Sequence, residues 1–142
     1  ESLDGKSTRR QLDFHQGYVI ESLDFIQHQL GVEQLFEKKI TEGFAFYRKF
    51  LMKETGQTLY RYPMEFPVDI HNQSQAIISC SEYNDLDQAK RVLDYTLRFM
   101  RHKKGWFYYK RYPWVTIKTP YIRWSQAWMF LAMVTYFTHS EK

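Results

Sequence analysis

Apolar residues recur along this chain at the 3.6-residue period of a helix, and the polar residues between them are of two kinds. From about Glu33 to Glu54, Phe36, Ile40, Gly43, Tyr47, Phe50 and Leu51 form one face. Glu37, Lys38, Glu42, Arg48, Lys49 and Lys53 occupy the other. From Asp85 to about Lys103, Ala89, Val92, Leu93, Thr96, Phe99 and Met100 share one side, opposite another charged face. Two further stretches are nearly free of charge: no Lys or Arg lies between Asn72 and Tyr83, and no charged residue between Trp124 and Thr138. A helix with a charged stripe faces water, whereas one that is apolar nearly all round is buried.

Caps and breakers divide the pattern into five predicted helices. Helix one runs from Asp13 to Leu30 and stops at Gly31, a natural C-terminal position for glycine. Helix two runs from Glu33 to Glu54 and stops near Gly56; helix three spans Asn72 to Tyr83. Helix four opens with Asp85 and Gln88 in capping-box spacing, continues to Lys103 and ends before Gly105. Thr119-Pro120 reads as a cap and a first-turn proline ahead of helix five, Tyr121 to Thr138. Residues 1–10 are polar and predicted to fray. The β-prone runs Trp106–Tyr109 and Trp114–Ile117, around Tyr112-Pro113, predict a short β-hairpin between helices four and five.

The chain also partly repeats itself. Ser74-Gln75-Ala76 and Ser125-Gln126-Ala127 each open an apolar run, with His15-Gln16-Gly17 as a weaker copy. The aligned glutamines lie 59 and 51 residues apart. Leu59-Tyr60-Arg61-Tyr62-Pro63 and Tyr108-Tyr109-Lys110-Arg111-Tyr112-Pro113 recur ahead of two of these runs. A period that long holds a helical hairpin and a loop, and stacked hairpins make an array or ring. With surface helices alternating with buried ones, the predicted fold is all-α: a partial α/α toroid in which inner helices line the ring and outer ones cover it. The alternative is an irregular helical bundle.

Composition agrees with one ordered domain over residues 1–142: hydrophobic residues make up 44%, aromatics 18%, and there are only 6 Gly and 4 Pro. A net charge of +4 weakly favours anionic partners. The one cysteine, Cys80, sits in an apolar run and reads as a buried helical thiol. No intrachain disulfide is available to it, which fits a cytoplasmic setting. Trp124–Phe137 is the most apolar segment, but it falls short of the ~20 residues needed to span a bilayer. The opening Glu1-Ser2-Leu3-Asp4-Gly5-Lys6 is not a signal peptide.

Several of these segments together resemble a known group: Tyr62-Pro63, Phe66-Pro67-Val68-Asp69-Ile70-His71, Gln75-Ala76, Lys104-Gly105-Trp106-Phe107-Tyr108-Tyr109 and Pro120-Tyr121-Ile122-Arg123-Trp124-Ser125-Gln126-Ala127-Trp128-Met129. From about Phe14 to Phe137 the chain resembles the C-terminal part of bacterial α/α-toroid proteins from surface-polysaccharide gene clusters. Those proteins are similar in fold to six-hairpin glycoside hydrolases, N-acylglucosamine and glucuronyl epimerases and heparinase-type lyases. Some of them carry the label delta-aminolevulinic acid dehydratase, an enzyme that is a β/α barrel with paired active-site lysines; nothing in this chain alternates strand and helix in that way. A closed six-hairpin toroid needs twelve helices, so the resemblance implies a C-terminal fragment of a larger ring. Inner-helix surface left open on helices one and five then predicts self-association, most simply as a two-fold dimer and as a consequence of truncation.

In such toroids the site is lined by loops entering the inner helices, and this places the candidate residues. Asp69 and His71 precede helix three and alternate across an extended backbone, so an imidazole would sit beside a carboxylate that orients it for proton transfer. Tyr62 is a third catalytic candidate, and Arg61 beside it is a substrate-binding candidate. The plainer alternative makes Asp69 a helix cap and pairs His71 with a backbone carbonyl. At the mouth of helix five, Arg123 offers a fork for carboxylates and Trp124 a face for a sugar ring. Their alternative is a core Trp124 and a structural ion pair for Arg123. Gln75 and Gln126 are substrate-binding candidates whose shared position also suits a structural duty, such as bonding a loop carbonyl. His15, at the equivalent place in helix one, completes the set.

No Gly-rich phosphate loop, Cys-x-x-Cys or His-Glu-x-x-His motif occurs, and the histidines are not at metal-ligand spacings. No metal or other cofactor is therefore expected. Glu65 and Asp69 are the only loop carboxylates that suggest a glycosidase pair. The basic run Arg98, Arg101, His102, Lys103 and Lys104 falls at a helix C-terminus, where cations are favoured, so no nucleic-acid partner is expected. The resulting expectation is a toroid that binds or processes a glycan, an acidic one suiting Arg123, as lyase, epimerase or hydrolase. The alternative is a non-catalytic glycan-binding or scaffold domain of a polysaccharide-biosynthesis complex.

Overall fold

The computed structural model describes residues 14–32 and 34–141. Asp13 and Glu33, the predicted starts of helices one and two, lie outside them. The described chain is mostly helical, with five helices and a small three-stranded antiparallel sheet. The helices are α1 (Phe14–Gln29), α2 (Glu37–Leu51), α3 (Ile70–Glu82), α4 (Leu86–Phe99) and α5 (Trp128–Ser140). Strands β1 (Val68–Asp69), β2 (Lys110–Arg111) and β3 (Thr116–Ile117) are ordered β1-β2-β3. The β2–β3 pair is the hairpin expected between helices four and five, with Lys110 opposite Ile117. The sequence pattern did not indicate β1, which is only two residues long.

Helices α1, α3 and α5 run parallel. His71 near the start of α3 stacks on Trp128 at the start of α5, and Glu82 at the end of α3 meets His139 at the end of α5 at 3.6 Å. On the other side, Phe14 and Tyr18 of α1 meet His71, and Glu21 bonds Gln75 and Ser79 farther down. So α3 is the middle of a row α1–α3–α5, and Asn72 through Ser81 are all buried. Gly17 permits the close approach of α1: a methyl group there would fall 2.6 Å from the Gln75 side chain and 2.8 Å from Ser79 Oγ.

The amphipathic helices form a second layer. α2 packs on α1, and α4 packs on α3 and α5. Arg48 of α2 joins Asp85, the cap of α4, at 3.0 Å. Asp85 Oδ1 accepts from Gln88 N as the sequence suggests, but the Gln88 side chain donates instead to the Lys53 carbonyl at 3.0 Å.

Helix five differs from expectation in how it starts and in how far it is buried. It opens as a wide π-turn, Ile122–Ala127, in which the Tyr121 carbonyl accepts from both Ser125 and Gln126. Thr119 is not its cap, because the helix begins two residues beyond Pro120. Nor is α5 buried all round: Met129 and Ala132 are buried, while Phe130, Leu131, Val134 and Phe137 are exposed. Its apolar sequence reflects a place at the end of the row, with α3 on one side only.

The repeat is sharper in hydrogen bonds than in sequence. After α2, Lys53 N bonds Gln57 O, Gly56 N bonds Lys53 O, and Leu59 N bonds Leu51 O. After α4, His102 N bonds Trp106 O, Gly105 N bonds His102 O, and Tyr108 N bonds Met100 O. Each bond recurs 49 residues on. Gly56 and Gly105 occupy the same place in the two turns, at φ of +85° and +107°, where a side chain is strained. The amide that follows each turn is caught by a glutamine: Gln73 Oε1 accepts from Thr58 N at 2.7 Å, and Gln126 Oε1 accepts from Phe107 N at 2.9 Å. Gln73, and not Gln75, is therefore the structural counterpart of Gln126.

Candidate functional site

The N-terminal ends of α1, α3 and α5 meet at one end of the row, and His71 is at their centre. Its ring lies between Phe14, stacked at 4.4 Å, and Trp128 at 4.7 Å. The Tyr18 hydroxyl reaches His71 Nε2 at 2.5 Å. Burial pulls the His71 pKa down; the Asp69 charge opposes this and His15 adds to it. Burial, with the charge of Glu21, pushes the Tyr18 hydroxyl up to about 12. A neutral imidazole beside a phenol that keeps its proton assigns the bond: Tyr18 O–H donates to Nε2, which leaves the ring proton on Nδ1.

Asp69 is the N-cap of α3, its Oδ1 accepting from His71 N at 2.9 Å. The helix thus begins at Ile70, two residues earlier than expected, and Asp69 and His71 do not share one extended strand. The other oxygen, Oδ2, pairs with Lys110 Nζ at 3.2 Å, and both side chains are largely buried. Burial, the largest single influence, lowers the Lys110 pKa, but Asp69's charge, hydrogen bonds to Tyr109 and Asp69 and the charge of Tyr109 together outweigh it, and the net shift is upward. This ammonium lies over the ring of Tyr109 at 4.7 Å and that of Tyr60 at 5.2 Å. The sheet makes the pairing, since β1 sets Asp69 opposite Lys110 on β2.

Tyr109 leads into an aromatic cleft. Its ring meets Tyr121 edge-on at 4.9 Å, and Tyr109, Tyr121 and Trp124 line a cavity of about 270 Å³. Trp124 is 50% exposed, so it is not the core residue its apolar neighbours suggest. Arg123, beside it on the π-turn, is exposed and makes no hydrogen bond or ion pair among the described residues. Because α3 and α5 are parallel, Asp69, His71 and Arg123 all belong to the same end of the row, as the loop argument expects.

Other candidates go elsewhere. Tyr62 is exposed, and its ring meets Phe50 of α2 edge-on at 5.5 Å, in the outer layer. Arg61 Nε turns to Met64 Sδ at 3.1 Å. Gln75 is fully buried between α1 and α3, donating to Glu21 at 2.6 Å and Ser79 at 3.1 Å. Gln126 holds both the N–H and the C=O of Phe107, the structural duty foreseen for a repeated glutamine. His15 is exposed on α1 with its ring 4.3 Å from Phe14, at the edge of the cluster.

Sequence reasoning passed over Phe14, Tyr18, Lys110, Tyr109, Tyr121 and Trp128. Most lie within the repeated segments or beside them, but aromatic residues are so common here that type alone does not single them out. It also missed Glu21. This carboxylate sits at the α1–α3 contact, in a cleft of about 410 Å³ that Asp24, Glu82 and Tyr83 also line. Burial raises its pKa to about 7; Ser79 and Gln75 lower it by hydrogen bonding, and the Glu82 charge raises it further. Among the described residues, no group of three or more His, Cys, Asp or Glu is placed to hold a metal ion, and no helix is long and apolar enough to cross a membrane. No protein-family model matches the chain, and no curated protein or solved structure compared with it does so either.

Proposed function

We propose that this end of the row binds carbohydrate, and that the chain is part of an α/α toroid acting on or holding a glycan in polysaccharide metabolism. The observation that carries the reading is the cleft between Tyr109, Tyr121 and the half-exposed Trp124. Concave aromatic walls with a few convergent polar groups suit a ring with one apolar face. Arg123 beside Trp124 adds an unpaired guanidinium, whose fork matches a carboxylate, so an acidic sugar is the better fit.

Within that reading, binding without catalysis is favoured over turnover. His71 has a ring on each face and its Nε2 bonded to Tyr18, while Asp69 serves both the helix cap and Lys110. A lyase, epimerase or hydrolase would need one of these groups to reach the substrate, and the Tyr18–His71 pair is the proton-transfer couple it would use. The test is a titration with uronate-containing and neutral oligosaccharides followed by tryptophan fluorescence. Trp124→Ala should weaken binding at least tenfold, and Arg123→Gln should erase the preference for the acidic ligand. Unchanged binding in Trp124→Ala would refute the site. Release of product from either ligand by the wild type, lost in His71→Ala, would move the reading from binding to catalysis.

A further inference from the structure

Among the described residues, the two helices at the ends of the row each present an apolar stripe without a partner on the side away from α3. On α1 it consists of Val19, Ile26 and Leu30, with half-buried Leu23 between them, at the spacing i, i+4, i+7 and i+11. On α5 it is Phe130, Val134 and Phe137, at i, i+4 and i+7. Neither stripe contains a charged side chain. We propose that a second copy of this chain covers both: α5 of one protomer seats against α1 of its partner, and the reverse, so that two copies close one ring of six parallel inner helices.

Three observations point to a second copy in that arrangement. The first is continuity with packing already present, since α1 on α3 and α3 on α5 are successive parallel contacts, and α5 on the partner's α1 would be the next. The second is curvature. Tyr18 of α1 comes within 5.6 Å of Trp128 of α5, around His71. The row therefore bends with that face inward, as a ring requires. The third is size. The seven side chains of the two stripes, two of them phenyl rings, offer on the order of 600 Å² of apolar surface per protomer. That is close to the ~800 Å² each partner contributes to a standard interface. Head-to-tail contacts that close on a two-fold axis make a discrete dimer, while those that do not close make filaments.

The heights along the row set the register. Phe14 and Tyr18 bracket His71, and His71 is level with Trp128. A two-fold axis along the ring keeps these heights, which brings Phe130 beside Val19 of the partner subunit and Phe137 beside Ile26 of the partner subunit. The experiment is light scattering on the full chain at micromolar concentration, with circular dichroism to confirm that each variant is folded. The wild type should have twice the 17.4 kDa monomer mass. Phe137→Lys and Ile26→Glu should each be monomeric, and an equimolar mixture of the two should return to the dimer. In the mixture one interface is untouched and the other gains a Lys–Glu pair. Should Phe137→Lys fail to fold, Phe130→Lys with Val19→Glu makes the same test. A monomeric wild type overturns the proposal. So does a dimer that mixing fails to restore, which would mean α5 against α5 or α1 against α1, or an open polymer, which would mean that the ring does not close.

Discussion

Gln73 is predicted to be the most costly polar side chain to replace in this fold. It is fully buried, its Oε1 accepts from Thr58 N at 2.7 Å, and its Nε2 donates to Thr96 Oγ1 at 2.8 Å and to the Gly56 carbonyl at 3.2 Å. Gln73→Leu keeps nearly the same volume, so the cavity contribution is small. Thr96 keeps its bond to Val92 O. What is lost is the partner of a buried N–H and of a buried C=O in the turn after α2. Each such orphan costs about 1–3 kcal/mol, so the substitution should destabilise by about 3 kcal/mol. That is a large share of the 5–15 kcal/mol typical of a whole domain. Gln126→Leu removes the same kind of clamp from the turn after α4, but Gln126 is only half-buried and water can stand in for it, so about 1 kcal/mol is expected. Urea denaturation followed by far-ultraviolet circular dichroism measures both. If Gln126→Leu costs as much as Gln73→Leu, or if Gln73→Leu costs under about 1 kcal/mol, then the two glutamines do not hold the turns through these hydrogen bonds.

Three more outcomes follow from the same packing. Gly56→Ala should cost several kcal/mol, because its Cβ would lie 2.0 Å from the Arg91 carbonyl oxygen, whereas Gly105→Ala has nothing within 4 Å and should cost only the ~1–2 kcal/mol of a left-handed backbone; thermal melts of the two should separate clearly. Gly17→Leu should push α1 off α3, seen as faster hydrogen exchange of α1 amides with α4 amides unchanged. Glu21 binds its proton more tightly folded than unfolded, so stability should fall as pH rises from about 4.5 through about 7, by on the order of 2 kcal/mol, and level off above; Glu21→Gln should flatten that slope, and an unchanged slope in the variant would assign it to other groups.

The candidate site shows where reading a sequence succeeds and where it stops. His71, Asp69, Arg123 and Trp124 come to one end because each is tied to the start of α3 or α5, and the start of a helix is a local signal: a cap, a proline, a loss of charge. Asp69 as a cap is local for the same reason, its carboxylate bonding an amide two residues away. The partners of these residues are not local. Tyr18 is 53 residues from His71, and Lys110 reaches Asp69 only through strand pairing. Tyr62, adjacent to Arg61 and close to Asp69 in sequence, lies outside the cluster, its ring against Phe50 of α2, a contact that the sequence does not signal.

Charge pattern and glycine placement, by themselves, determined five helices and their alternation in two layers, since periodicity records which face of each helix meets water, and the β-prone runs around Tyr112-Pro113 determined the hairpin between α4 and α5. Whether an apolar helix is surrounded or stands at the end of a row was a different matter. α3 and α5 look alike in sequence, yet α3 has a neighbour on either side and α5 on one, and only the tertiary structure decided which. It also decided the register of the repeat. The motif Ser-Gln-Ala pairs Gln75 with Gln126, but the matching hydrogen bonds belong to Gln73, because the equivalence of two positions is set by the turn each must reach and not by the letters around it.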